Sequence, residues 1–164
     1  MFLDTTLPHL DVVHNVARRV ARDPHHADDL VQETFLRAFS AFDSHDRERT
    51  RSWLVAILLN TARSDGRRSR VRAGEVLVAD LPERRGSDDV GEAAVAACDR
   101  DAIVAALAAI PEEQRLAIVL MDVAGLTAQE VADTLNCPRG TVLARVHRGR
   151  RKLAVPLERD GTRP

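Results

Sequence analysis

Residues 127–153 read TAQEVADTLNCPRGTVLARVHRGRRKL, an order of side chains that prescribes a helix, a tight turn and a second, basic helix. Thr127 and Glu130 have capping-box spacing: the hydroxyl takes an orphan amide of the first turn, and the carboxylate reaches back to the Thr127 amide. Val131 and Leu135 lie one turn apart and face inward. Asn136-Cys137-Pro138-Arg139-Gly140 supplies the turn, and Thr141 is expected to begin the second helix. Val142, Val146 and Leu153 give that helix a buried side. Its remainder is basic: from 137 to 153 the chain carries Arg139, Arg145, Arg148, Arg150, Arg151 and Lys152, with no Asp or Glu. A helix of this build fits the DNA major groove and finds phosphates on both sides of it. The whole chain has a formal net charge of −1, so the positive charge is a local docking surface and not a general attraction to polyanions.

Several function classes are excluded. With 164 residues and 45% hydrophobic content, the chain has material for one medium or two small packed domains. No apolar run approaches the roughly 18–20 residues of a membrane span. Residues 1–11 lack a basic start and a long apolar core, so no secretory signal is read and a cytoplasmic location without membrane insertion is expected. Cys98 and Cys137 are far apart and lack metal spacing, as befits reduced thiols. Aromatic residues make up 3% of the chain, too few for a broad base-stacking platform. No phosphate-binding glycine loop or nucleophile motif occurs, so neither catalysis nor a cofactor is expected. His25, His26, Asp28 and Asp29 do not form a metal site, because adjacent histidines at a helix start diverge and no further ligand is suitably spaced.

Helical spacing recurs along the chain, and strand-like alternation does not. A first helix is expected over about 9–22, with Leu10, Val13, Ala17 and Val20 on one face. Asp23-Pro24 then caps and opens a second helix running to about Phe42, whose apolar members are Leu30, Val31, Phe35, Ala38, Phe39 and Phe42. After the polar stretch 43–50, a third helix over about 51–68 buries Trp53, Leu54, Ile57 and Leu58 and ends in a basic cluster. Residues 71–98 collect glycine, proline and acidic side chains and read as a mobile linker. Beyond it, Ile103, Val104, Leu107 and Ile110 mark a short helix. Pro111 opens the next, with a stripe of Leu116, Val119, Leu120 and Val123, and Gly125 ends it. The expected fold is all-α: two small helical domains, 1–70 and 99–164, joined by a flexible linker over 71–98, the C-terminal domain being a helix-turn-helix.

Specific residues carry a family resemblance. Residues 23–35 (DPHHADDLVQETF), then Trp53-Leu54 through Asn60 with Asp65 and Arg67-Arg68, resemble the second region of sigma-70 family members of the extracytoplasmic-function group. Ile110-Pro111 with Gln114-Arg115, Gly125-Leu126-Thr127 with Glu130-Val131-Ala132, and Gly140-Thr141-Val142 with Arg145 and Arg148 resemble the fourth region. The resemblance covers about 10–70 and 100–155, in the family's order. It implies a dissociable promoter-specificity subunit of RNA polymerase, whose first domain binds core polymerase and the −10 element and whose second binds the −35 element. The implied partners are core RNA polymerase, through its β′ and β subunits, promoter DNA, and an anti-sigma factor that masks these faces until a signal arrives.

By the same resemblance, Asp28, Asp29, Leu30, Gln32 and Glu33 form the polymerase-binding edge. Carboxylates and an amide there suit basic partner side chains, with Leu30 or Val31 adding apolar contact. Asp46, Arg47 and Arg49, in a loop that captures an exposed base, join Asn60, Arg63, Arg67 and Arg68 as the −10 set. Trp53 is read as core. Arg139, Thr141, Leu143, Arg145, Arg148, Arg151 and Lys152 form the −35 set, with Arg145 and Arg148 on the exposed face and Arg150 merely solvated. Many relatives carry polar or basic residues at Leu143 and Ala144. Here neither side chain donates a hydrogen bond, although Leu143 suits a thymine methyl. The competing reading is a stand-alone helix-turn-helix regulator, which would not need the edge at 28–33.

Overall fold

In the computed structural model of the chain, residues 1–73 and 105–160 are described, with side chains over 1–67 and 105–153. Residues 74–104 lie outside the described residues, and with them most of the expected linker, Cys98, Ile103 and Val104. The chain divides into an N-terminal and a C-terminal unit. Every regular element described is helical. Among the described residues, no helix is long and apolar enough to cross a membrane.

The N-terminal unit comprises α1 (Phe2–Thr6), α2 (Leu10–Val20), α3 (Pro24–Ser40) and α4 (Thr50–Ala73), with short 3-10 turns at Leu7–His9, Phe42–Ser44 and Arg47–Arg49. Helices α2, α3 and α4 pack on one another around Val13, Val16, Ala17, Ala27, Leu30, Ala38, Leu54, Val55, Leu58 and Leu59. Buried hydroxyls cost little here. Thr34 donates to the Leu30 carbonyl at 2.6 Å and Thr61 to Ile57 at 2.9 Å, so each is satisfied within its own helix. Asp23 caps α3 as expected, accepting from the His26 amide at 2.8 Å, and Pro24 opens the helix. That hydrogen bond holds the Asp23 carboxyl below the usual carboxylate range.

Four features differ from expectation. Helix α1 was not foreseen. The buried edge of α2 is Val13, Val16 and Ala17, while Leu10, the first residue of the helix and one turn short of that edge, is 38% exposed. Phe39 is 67% exposed because the inward edge of α3 runs through Ala27, Leu30, Thr34 and Ala38. Its ring instead meets Phe2 edge-on at 5.3 Å. Helix α4 continues to Ala73, past the expected end near 68. Gly66 does not break it, since the long helical run dominates one glycine's weak propensity.

The C-terminal unit has a helical turn at 105–108, α5 (Glu112–Ile118) running into a π-turn at Val119–Val123, α6 (Ala128–Leu135) and α7 (Arg139–Asp160). Pro111 caps α5, and Gly125 adopts φ +66°, the left-handed conformation that halts a helix. The capping box of α6 is present in both directions: Glu130 N–H donates to Thr127 Oγ1 at 3.2 Å, and Thr127 N–H to Glu130 Oε2 at 2.8 Å. Asn136 takes φ +51°, and the Cys137 amide returns to the Ala132 carbonyl at 3.1 Å, closing α6. Helix α7 begins at Arg139, two residues before the expected start. Pro138 has no amide to lose but offers a carbonyl, which accepts from Thr141 at 2.9 Å and Val142 at 3.3 Å.

Both α5 and α6 pack on α7, burying Leu107, Ile110, Ala117, Ile118, Val131, Ala132, Val142 and Val146. Gly149 makes this possible. A Cβ there would stand 2.6 Å from Ile118 Cδ1 and 3.3 Å from Gln114 Cβ, so glycine lets α5 lie directly against the α7 backbone.

Candidate nucleic-acid interface

Helix α7 sorts its side chains by angle. Val142, Val146 and Gly149 are buried and form its inner stripe. At ~100° per residue, Arg145 and Arg150 fall on opposite flanks of this stripe, each roughly 70° from its centre. Each flank has a carboxylate waiting. Arg145 Nη2 donates to Glu113 Oε2 at 2.8 Å, and Arg145 Nη1 lies 3.7 Å from Cys137 Sγ. Arg150 donates through Nε to Asp122 Oδ2 at 3.2 Å and through Nη2 to Oδ1 of the same carboxylate. Asp122 thereby holds the Arg150 proton more firmly than usual.

Among the described residues, these are the ion pairs of α7. Arg139, Arg148, Arg151 and Lys152 are exposed, as are His147 and Leu143, while Thr141 is half-buried in the first turn. Two expectations are therefore corrected. Arg145 does not share the exposed face with Arg148; it is 21% exposed and occupied by Glu113. Arg150 is not merely solvated. The far side of α7 also presents His147, which sequence reasoning missed. Projecting the helix from its buried stripe would have found it, whereas counting cations could not.

The N-terminal unit holds the −10 candidates in two groups. In the loop, Asp46 Oδ1 accepts from the Glu48 amide at 3.1 Å and so caps a turn that carries Arg47 and Arg49, both exposed. The Arg47 guanidinium stands 5.8 Å over the Phe42 ring. The His45 ring stacks on Trp53, and His45 Nε2 is 3.1 Å from Thr50 Oγ1. The Thr50 hydroxyl donates to the Arg47 carbonyl at 2.9 Å, which leaves its lone pair for the Nε2–H of His45. Burial pushes the His45 pKa below the usual 6.5, against the opposing charge of Asp46. Trp53 is thus half-buried under this loop, not enclosed in the core as expected. On α4, Asn60, Arg63 and Arg67 are exposed at spacings of three and four, along one face. Arg68 is helical, and its side chain lies outside the described residues.

On α3, Asp28, Asp29 and Gln32 are exposed and Glu33 is half-buried. Glu33 accepts from Arg37 Nε at 2.6 Å, and Asp28 lies 3.5 Å from His14 Nε2. Leu30 is 1% exposed; it belongs to the core and presents nothing to a partner, which corrects its expected role. Exposed apolar surface lies further along the same edge. Leu36 is 64% exposed, Phe39 67% and Leu3 57%, and with Gln32 and Phe35 they line a groove of about 650 Å³. The sequence stripe treated Phe39 as core and so hid this groove.

The family described as Sigma-70 region 2 matches residues 7–72, and Sigma-70 region 4 matches residues 100–153. The chain is 35% identical over 150 residues to the ECF RNA polymerase sigma factor SigE of Mycolicibacterium smegmatis, covering 88% of this chain and 57% of that relative's length. It is 37% identical over 137 residues to the ECF RNA polymerase sigma factor EcfG of Rhodopseudomonas palustris, covering 82% of this chain and 73% of the relative. Among solved structures, it is similar to the sigma factor RpoE in complex with the anti-sigma factor NepR from Bartonella quintana, with a TM-score of 0.73, 27% identity and 93% of each chain covered.

Proposed function

The chain belongs to the extracytoplasmic-function sigma factors of the sigma-70 family, and on that premise we propose that it directs core RNA polymerase to two-part promoters by dividing the work between its two units. The N-terminal unit grips core polymerase through the α3 edge of Asp28, Asp29, Gln32 and Glu33. Leu36 and Phe39 supply the apolar contact there, since Leu30 is buried. Asp46, Arg47 and Arg49 in the loop, with Asn60, Arg63, Arg67 and Arg68 on α4, engage the −10 element: Asn60 suits a base edge and the arginines suit phosphates. The C-terminal unit sets α7 in the major groove of the −35 element, with Arg139, Thr141, Leu143, Arg148, Arg151 and Lys152 facing DNA. Residues 74–98 serve as the tether between the N-terminal domain, which α4 extends to Ala73, and the domain at 99–164, so each weak contact raises the effective concentration of the other.

The observation that carries this reading is the coexistence of an outward cationic face on α7 with an acidic and apolar edge on α3. A stand-alone regulator has no use for the second. The chain contributes no catalysis and needs no cofactor or metal. It works in the cytoplasm beside polymerase, and an anti-sigma factor covering the α3 edge and α7 keeps it silent. Footprinting of promoter DNA with core polymerase and the full chain tests the division. Protection that extends over both elements only when polymerase is present supports it, and protection that is the same with and without polymerase overturns it in favour of the stand-alone regulator.

A further inference from the structure

Two carboxylates from the α5 segment bracket the recognition helix. Glu113, in the first turn of α5, holds Arg145, which lies 32 residues further along the chain. Asp122, in the π-turn, holds Arg150. The Arg145 contact is the more consequential, because that guanidinium joins three elements: the start of α5 through Glu113, the inter-helix turn through Cys137 Sγ, and α7 itself. Arg145 is 21% exposed, whereas Glu113 is 72% exposed, so it is the arginine that is drawn back and the carboxylate that remains at the surface. Arg148, Arg151 and Lys152 remain exposed on the same helix.

Resting on the DNA-binding reading of α7, we infer that Glu113 is a positioning residue that sets the chain's sequence-independent affinity for duplex: it withdraws Arg145 from phosphate binding. A guanidinium already matched to a carboxylate offers no uncompensated charge to a phosphate and releases no counterion on binding. Attraction to arbitrary duplex is thereby lowered by one cation, while the outward side chains that touch base edges are unaffected. The seat of α7 on α5 rests instead on the buried packing of Ile118 against Gly149, so breaking this ion pair leaves the helix in place.

The test is binding of the full chain to a random-sequence duplex across a salt series. Arg145→Gln leaves the slope of log affinity against log salt unchanged. Glu113→Gln, nearly isosteric and therefore mild for folding, steepens the slope by about 0.9, the release expected for one added phosphate contact. It also strengthens binding several-fold. The double variant returns to the wild-type slope, which separates release of Arg145 from simple removal of a repelling carboxylate. A loss of about 0.9 in slope for Arg145→Gln alone, or an unchanged slope for Glu113→Gln, overturns the inference. A wild-type chain with no salt-dependent binding overturns the DNA-binding reading itself.

Discussion

His45 lies flat on Trp53, with ring centroids 3.8 Å apart and planes 8° from parallel. The histidine comes from the loop and the tryptophan from α4, so their contact ties the proposed base-capturing segment to the helix behind it. Trp53 is the sole tryptophan of the chain, which makes its fluorescence a direct report on the stack. Burial lowers the His45 pKa from 6.5. The neutral ring is thus favoured in the folded loop. The stabilisation is fully present above the unfolded value and is lost as pH falls through the lower folded value. Fluorescence should titrate with a midpoint below 6.5, and His45→Ala should abolish the transition. A midpoint above that value would contradict the packing argument.

Charge reversal on α3 should separate the two units. Asp29→Arg or Glu33→Arg is expected to weaken core polymerase binding about tenfold, or ~1.4 kcal/mol, and Leu36→Asp should do the same through lost apolar contact. Duplex binding by the full chain should remain within twofold of wild type in each case. Polymerase titrations with labelled chain measure the first effect, and DNA titrations the second.

On α7, the outward arginines should behave differently from one another. Arg148→Ala is expected to cost roughly 1–3 kcal/mol at the preferred −35 sequence and to relax base preference. Arg151→Ala should weaken all duplexes alike and reduce the salt slope by about 0.9. Binding selections from a randomised duplex pool distinguish the two patterns, and a uniform loss for Arg148→Ala would remove it from the base-reading set.

Gly149→Leu tests the packing that seats α7. The added side chain would enter space that Ile118 Cδ1 and Gln114 Cβ already claim, and overpacking of this kind costs about 1–3 kcal/mol. Thr127→Ala should cost about 1 kcal/mol by removing the α6 cap. Amide exchange should show faster opening in α5–α7 for the glycine variant and in α6 for the cap variant, with α2–α4 unchanged in both.

Much of this was legible in the sequence because local chemistry enforces it. Asp23-Pro24 and the Thr127–Glu130 pair act within one turn, so spacing alone locates α3 and α6. What was illegible depends on neighbours distant in the chain. Nothing near Arg145 reveals Glu113, and nothing near Trp53 in the helical stripe reveals His45 above its face. Leu30 and Phe39 exchanged their expected roles for a related reason. Both are apolar members of one helix, and only the placement of α2 and α4 decides which points inward. The start of α7 was misplaced because glycine at 140 reads as turn, although the Pro138 carbonyl already accepts helical bonds.

Run-off transcription with purified core polymerase, the full chain and a promoter library is the most direct measurement. The division of labour proposed here predicts transcripts that start downstream of templates sharing both a −10 and a −35 element, lost when Asp29→Arg or Arg148→Ala is introduced. Transcripts no different from those of core polymerase alone would contradict it.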